Sequence, residues 1–136
     1  MPQVISSVKA LICHQGKFLI LKEELHKGAV WDLPGGKIEY GESPQETLHR
    51  EIREELDLEI KIIKSVGVWY FFSQQHQHQV ICHTFLCEII GKGKIDLSKN
   101  PADEDISEWR WLTKKEILRS DEIELAESLL ELIKKL

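Results

Sequence analysis

Apolar positions along the chain fall into runs of two periods. Residues 4–12 and 17–22 are rich in β-branched and aliphatic side chains, and His14, Gln15 and Gly16 part them, which predicts a hairpin. A loop with Gly28 follows, and a short run at 30–33 ends in Pro34-Gly35-Gly36. Ser43-Pro44-Gln45-Glu46 then announces a helix: Ser43 can cap the free amides, Pro44 suits the first turn, and Glu46 closes a capping box. Leu48, Ile52 and Leu56 continue it as one apolar stripe, to about Leu56. Residues 60–72 and 80–90 read as strands joined by the polar stretch 73–79, with turns or irregular loop at 91–94 and 98–101. A last short strand is predicted at 108–112, then a short helix capped by Thr113. A terminal helix is predicted over 121–136, with Ile123, Ala126, Leu130 and Ile133 on one side. Strands around one helix, then strands around another, predict an α/β layered domain.

Length and composition narrow the class. A chain of 136 residues with 42% apolar and 30% charged positions is expected to form one domain, residues 1–136, with its own core. Against 18 Lys and Arg stand 23 Asp and Glu, a net charge of −5, which argues against a nucleic-acid partner. No basic leader with a long apolar core opens the sequence, and no apolar run has a membrane span's length, so no membrane association is expected. Cys13, Cys82 and Cys87 form neither a CxxC pair nor an even disulfide set, which suits a cytoplasmic protein. Monomer and homodimer both stay open.

The informative chemistry lies between Pro34 and Glu59. On a helix, Glu51, Glu54 and Glu55 bring three carboxylates together, where like charges repel by a few tenths of a kcal/mol per pair, roughly. They form either a solvated acidic face or an oxygen-rich site for a hard divalent cation, Mg²⁺ or Mn²⁺. Gly35 and Gly36 let the backbone ahead of Lys37 approach a ligand closely. Arg50 can orient a carboxylate of Glu51, and Glu42 can hold Arg50 in turn. Residues 36–59 hold eight acids and three bases, so the whole net charge sits in this segment.

Gly36, Glu42, then Arg50-Glu51-Ile52-Arg53-Glu54-Glu55-Leu56-Asp57-Leu58 closely resemble the signature of the Nudix hydrolase family, G-x5-E-x7-R-E-U-x-E-E-x-G-U, over residues 36–58. Asp57 stands where that pattern has glycine, a position suited to a left-handed helix end, which Asp tolerates at a cost of about 1 kcal/mol or less. The flanking Leu33-Pro34-Gly35-Gly36-Lys37-Ile38-Glu39 is similar to the MutT-like branch. The resemblance implies an α/β/α sandwich with a mixed β-sheet between helices, and hydrolysis of a nucleoside diphosphate linked to a group X by water attack on phosphorus. It further implies Glu51, Glu54, Glu55 and the Gly35 carbonyl as metal ligands. Glu51, Glu54, Arg50 and an acid on a later loop would be the catalytic set, with Gly36 and Lys37 near the substrate. Within residues 101–105, Glu104 is the expected later acid and Asp103 the second choice, against a plain acidic turn.

Other candidates weigh less. Asp103 and Asp105 do not open a calcium loop, because Glu108 and Lys114 occupy its glycine and glutamate positions. His76, His78 and His83 lack a fourth zinc ligand. Trp109 and Trp111 share a strand face and read as core, whereas Trp31, leading into the glycines, could stack on a base. Markers of ADP-ribose, NADH, coenzyme A and dinucleoside polyphosphate enzymes are absent, which leaves a nucleoside triphosphate, oxidised ones included, as the expected small-molecule substrate. ADP-ribose or another nucleotide conjugate is the alternative. A catalytically silent nucleotide-sensing or partner-binding module of the same fold is the alternative of another class, and the complete glutamate set argues against it.

Overall fold

A computed structural model describes residues 1–25, 28–73, 77–98 and 106–136. Its elements run β1 (Gln3–His14), β2 (Lys17–Leu25), β3 (Gly28–Asp32), β4 (Gly35–Lys37), α1 (Pro44–Leu56), β5 (Glu59–Ser73), β6 (His78–Ile90), β7 (Ile106–Leu112), α2 (Lys114–Arg119) and α3 (Glu127–Lys134). Among the described residues seven strands form a mixed sheet in the order β3-β2-β1-β6-β5, with β4 added to β1 and β7 to β2. β1 and β6 are parallel; the other pairs are antiparallel.

Alternation in β1 builds a core on each face of the sheet. Val8, Ala10 and Ile12 meet Leu48, Ile52 and Leu56 of α1, all fully buried. On the other face Leu11, Ile20 and Trp69 meet Ile117 of α2 and Leu129 and Ile133 of α3. The result is the α/β/α sandwich with a mixed sheet that the resemblance implies. No helix among the described residues is long and apolar enough to cross a membrane.

The relation of β1 to β2 creates the site. These strands pair only at their hairpin end, at Cys13–Phe18 and His14–Lys17, and then diverge. β4 takes over the vacated edge of β1, with Gly35 opposite Lys9 and Gly36 opposite Val8. Two glycines carry no hydrophobic pattern, so the sequence reads this strand as loop.

Two further readings are corrected. The terminal helix starts at Glu127 instead of Asp121: Ile123 and Leu125 are buried from an irregular segment, and the helix buries Leu129, Leu132 and Ile133. Trp111 packs against the α1-side core as expected, but Trp109 is 40% exposed, because β7 lies at the rim.

Candidate active site

Helix α1 is fixed at both ends. Ser43 Oγ accepts from the Glu46 amide and Glu46 Oε1 from the Ser43 amide, each at 3.1 Å, so the capping box forms. Asp57 adopts the left-handed conformation (φ 55°, ψ 37°), and its amide donates to the Arg53 carbonyl at 2.9 Å. With Leu48, Ile52 and Leu56 turned inward, the helix presents Arg50, Glu51 and Glu54 at its flank, and Glu55 at the edge of the buried face.

Arg50 organises that flank. Its Nε and Nη2 donate to the two oxygens of Glu42 at 2.9 Å, a bidentate pair, while Nη1 donates to Glu51 Oε1 and Glu54 Oε2 at 3.2 Å each. The hydrogen bonds from Arg50 hold the Glu42 carboxyl below its ordinary value, outweighing the opposing effect of desolvation. One guanidinium therefore offsets repulsion among three carboxylates.

The glycine strand closes on the helix from the other side. Gly35 has φ 147°, and a Cβ there would strike the Val8 carbonyl oxygen, so only glycine fits. The Gly35 amide donates to Glu55 Oε1 at 3.0 Å in a buried contact, which explains how a glutamate only 5% exposed is tolerated. Ser7 Oγ donates to the Gly36 carbonyl at 2.8 Å. Lys37 is exposed at the strand's end.

Behind the glycines a buried lysine pairs with a half-buried aspartate, a contact that the sequence did not reveal. Lys9 Nζ stands 2.8 Å from Asp32 Oδ2, and the other oxygen of Asp32 accepts the Leu33 amide at 2.7 Å. Burial alone would lower the Lys9 ammonium, but its charge contact and hydrogen bond with Asp32 outweigh that and hold it above its ordinary value. The available signal was a lone lysine inside the apolar run of β1, at an inward position of the alternation.

Lys9, Asp32, the two glycines and Glu55 line a cleft in two parts, with Asp32 and Phe71 in the walls of both, while Glu51 and Glu54 lie outside its walls. The smaller, about 180 Å³, has Lys9, Glu23, Gly35, Gly36 and Glu55 in its walls. The larger, about 380 Å³, is walled by Trp31, Trp69, Phe72, Glu124 and Leu129 among others. Trp31 carries the Arg110 guanidinium 5.1 Å and the Lys22 ammonium 5.7 Å from its ring centroid. Trp69 Nε1 is buried with no hydrogen-bond partner among the described residues. A wider hollow of about 790 Å³ between α3 and β5 contains none of the site residues.

The donor set suits a hard divalent cation, since every candidate ligand is oxygen: carboxylates of α1 and a backbone carbonyl of β4. A Cβ on Gly36 would lie 2.6 Å from the Glu51 carboxyl carbon, so the glycine is what lets this carboxylate rest against the loop. Among the described residues no three acidic, histidine or cysteine side chains converge on one point; Arg50 engages Glu51 and Glu54, and Glu55 accepts from the Gly35 amide. Glu104 and Asp103 lie outside the described residues.

The sequence model of the NUDIX domain matches residues 5–135. The chain belongs to the Nudix family. Its MutT-like character follows from its relatives. This Nudix chain is 30% identical over 114 residues to the protein named MutT4 of Mycobacterium tuberculosis, covering 79% of the chain and 44% of that protein. It is 33% identical over 87 residues to an ADP-ribose pyrophosphatase of Methanocaldococcus jannaschii, covering 62% and 51%. The chain thus spans about half the length of these curated relatives. The crystal structure of a MutT protein from Methanosarcina mazei superimposes with a TM-score of 0.81 at 25% identity, covering 98% of this chain and 93% of that one. Nudix hydrolases in general use divalent metal ions and act on small nucleotides.

Proposed function

We propose that the protein is a divalent-cation-dependent pyrophosphohydrolase that cleaves a nucleoside triphosphate between its phosphorus atoms, with Mg²⁺ or Mn²⁺ as cofactor. One observation carries this reading. The oxygen-rich end of the cleft, at Gly35, Gly36 and Glu55, continues into an aromatic end at Trp31 and Trp69. A nucleotide has the same polarity, with charged phosphates at one end and an apolar, flat base at the other.

Glu51, Glu54, Glu55 and the Gly35 carbonyl would hold the cation. Once bound, it neutralises phosphate charge and acidifies a water molecule. Arg50 keeps the Glu51 and Glu54 carboxylates oriented, and Glu42 keeps Arg50 in place. Glu54 or Glu51 takes the proton of the attacking water, with Glu104 of the later loop as the other base in this reading. In this reading Gly36 and Lys37 would meet the phosphates and Trp31 the base. Free Cys13, Cys82 and Cys87 fit a reducing compartment, and we assign the protein to the cytoplasm.

The described part of the cleft has one aromatic end, which favours one base and hence a mononucleotide over a dinucleoside polyphosphate. The test is a Mg²⁺-supplemented screen of nucleoside triphosphates, oxidised deoxynucleotides, ADP-ribose, dinucleoside polyphosphates and nucleotide sugars, with products identified. Release of pyrophosphate and a nucleoside monophosphate from a triphosphate is expected. A clear preference for ADP-ribose contradicts the substrate assignment.

A further inference from the structure

Among the described residues two charged side chains are buried, Lys9 and Glu55, at 7% and 5% exposure, and both line the smaller part of the cleft. They have opposite sign and feel each other's field. No direct bond between them is needed to link them, because the backbone does so. Lys9 Nζ donates to Asp32 Oδ2 at 2.8 Å and to the Leu33 carbonyl at 3.4 Å. Asp32 Oδ1 accepts the Leu33 amide at 2.7 Å. The Pro34 carbonyl accepts from the Ala10 amide at 2.8 Å, and the Gly35 amide donates to Glu55 at 3.0 Å. Every residue from Asp32 to Gly35 is thereby tied to β1 or α1, and the chain of ties ends on the Glu55 carboxylate.

We propose that Lys9 is a positioning residue for the cation site, acting through Asp32 and the Leu33–Gly35 segment to aim the Glu55 carboxylate without touching cation or substrate. The proposal rests on the cation-site reading above. It makes a prediction of unusual sign. A lysine near a cation site opposes cation binding by simple Coulomb repulsion, so its removal should tighten binding if charge were all that mattered. If Lys9 instead sets the aim of a ligand, its removal weakens binding, and partners that orient metal ligands typically change affinity by about 10- to 100-fold.

The experiment is Mn²⁺ titration of the full chain, with free Mn²⁺ read by electron paramagnetic resonance and the fold checked by circular dichroism. Lys9→Met leaves the half-buried Asp32 carboxylate without its countercharge, though still accepting the Leu33 amide, so the decisive variant is Lys9→Met/Asp32→Leu. It removes both charges, keeps the net charge, and replaces a part-buried pair with apolar side chains, an exchange proteins often tolerate for buried pairs. The expected result is a Mn²⁺ dissociation constant raised about tenfold in the double variant, and in Lys9→Met wherever that folds. An unchanged or tighter constant in the folded double variant overturns the role of Lys9. Absence of Mn²⁺ binding in the unsubstituted protein overturns the cation site itself, and the role of Lys9 with it.

Discussion

Gly36 and Glu51 sit so close that no methyl group fits between them: a Cβ on Gly36 would stand 2.6 Å from the Glu51 carboxyl carbon and 2.8 Å from each oxygen. The neighbouring glycine is tight for a different reason, since a Cβ on Gly35 meets the backbone of Val8 and Lys9. Side-chain ends yield easily and paired strands do not. Gly36→Ala is therefore expected to lower kcat about tenfold or more, as a displaced ligand does, with less than about 1 kcal/mol lost in stability. Gly35→Ala is expected to cost about 2 kcal/mol or more. Steady-state kinetics beside denaturant unfolding separates the two.

The Arg50–Glu42 pair makes acid stability a readout of site assembly. Glu42 has its carboxyl lowered from an ordinary value of 4.5 by the Arg50 hydrogen bonds. A depressed carboxyl contributes stability that is fully present above the unfolded value and is lost as pH falls through the folded one. Thermal unfolding from pH 7 to pH 3 should thus show a loss below pH 4.5 that is smaller in Glu42→Gln. Identical pH profiles for the two proteins contradict this role of the pair.

Trp31 provides a test of the aromatic end. Its ring is held in place by Arg110 and Lys22, and Arg110 is itself bound by Glu108 and Glu122. Loss of base stacking typically costs about 1–3 kcal/mol. Trp31→Ala should raise KM for the nucleotide by about fivefold or more, with a smaller change in kcat. A kcat defect at unchanged KM would move Trp31 out of the binding role.

How far the sequence revealed this arrangement depended on whether a residue's chemistry matched its local pattern. Helix α1 was legible because its cap, its apolar stripe and its acids lie within one short segment. Asp57 was legible as a helix end because a left-handed residue is needed there, and it adopts that geometry. Strand β4 was hidden because Gly35 and Gly36 carry no side chains to pattern. Lys9 was hidden because a lysine reads as solvated until its partner, 23 residues later, is seen beside it. The pairing of β1 with β6 joins residues far apart in the chain, and nothing local announces it. In residues 121–126 the spacing of apolar positions suits a helix, but the segment is irregular and buries Ile123 and Leu125 without one.

Thiol reactivity should distinguish the three cysteines. Cys82 and Cys87 are fully buried, and burial pushes both thiols up to about 12, whereas Cys13 is half-buried. In the native protein at pH 8, a thiol reagent should label Cys13 first and reach all three only on unfolding. Equal rates at the three sites would contradict the packing of β6.

The most direct test of the central claim is ³¹P NMR of the products that the protein and its Glu54→Gln variant form from a nucleoside triphosphate, with and without Mg²⁺. The unsubstituted protein should release pyrophosphate and nucleoside monophosphate only when Mg²⁺ is present. Glu54→Gln should keep the fold and lose about a hundredfold or more of that turnover. Equal turnover in the variant, or turnover indifferent to Mg²⁺, would contradict the account.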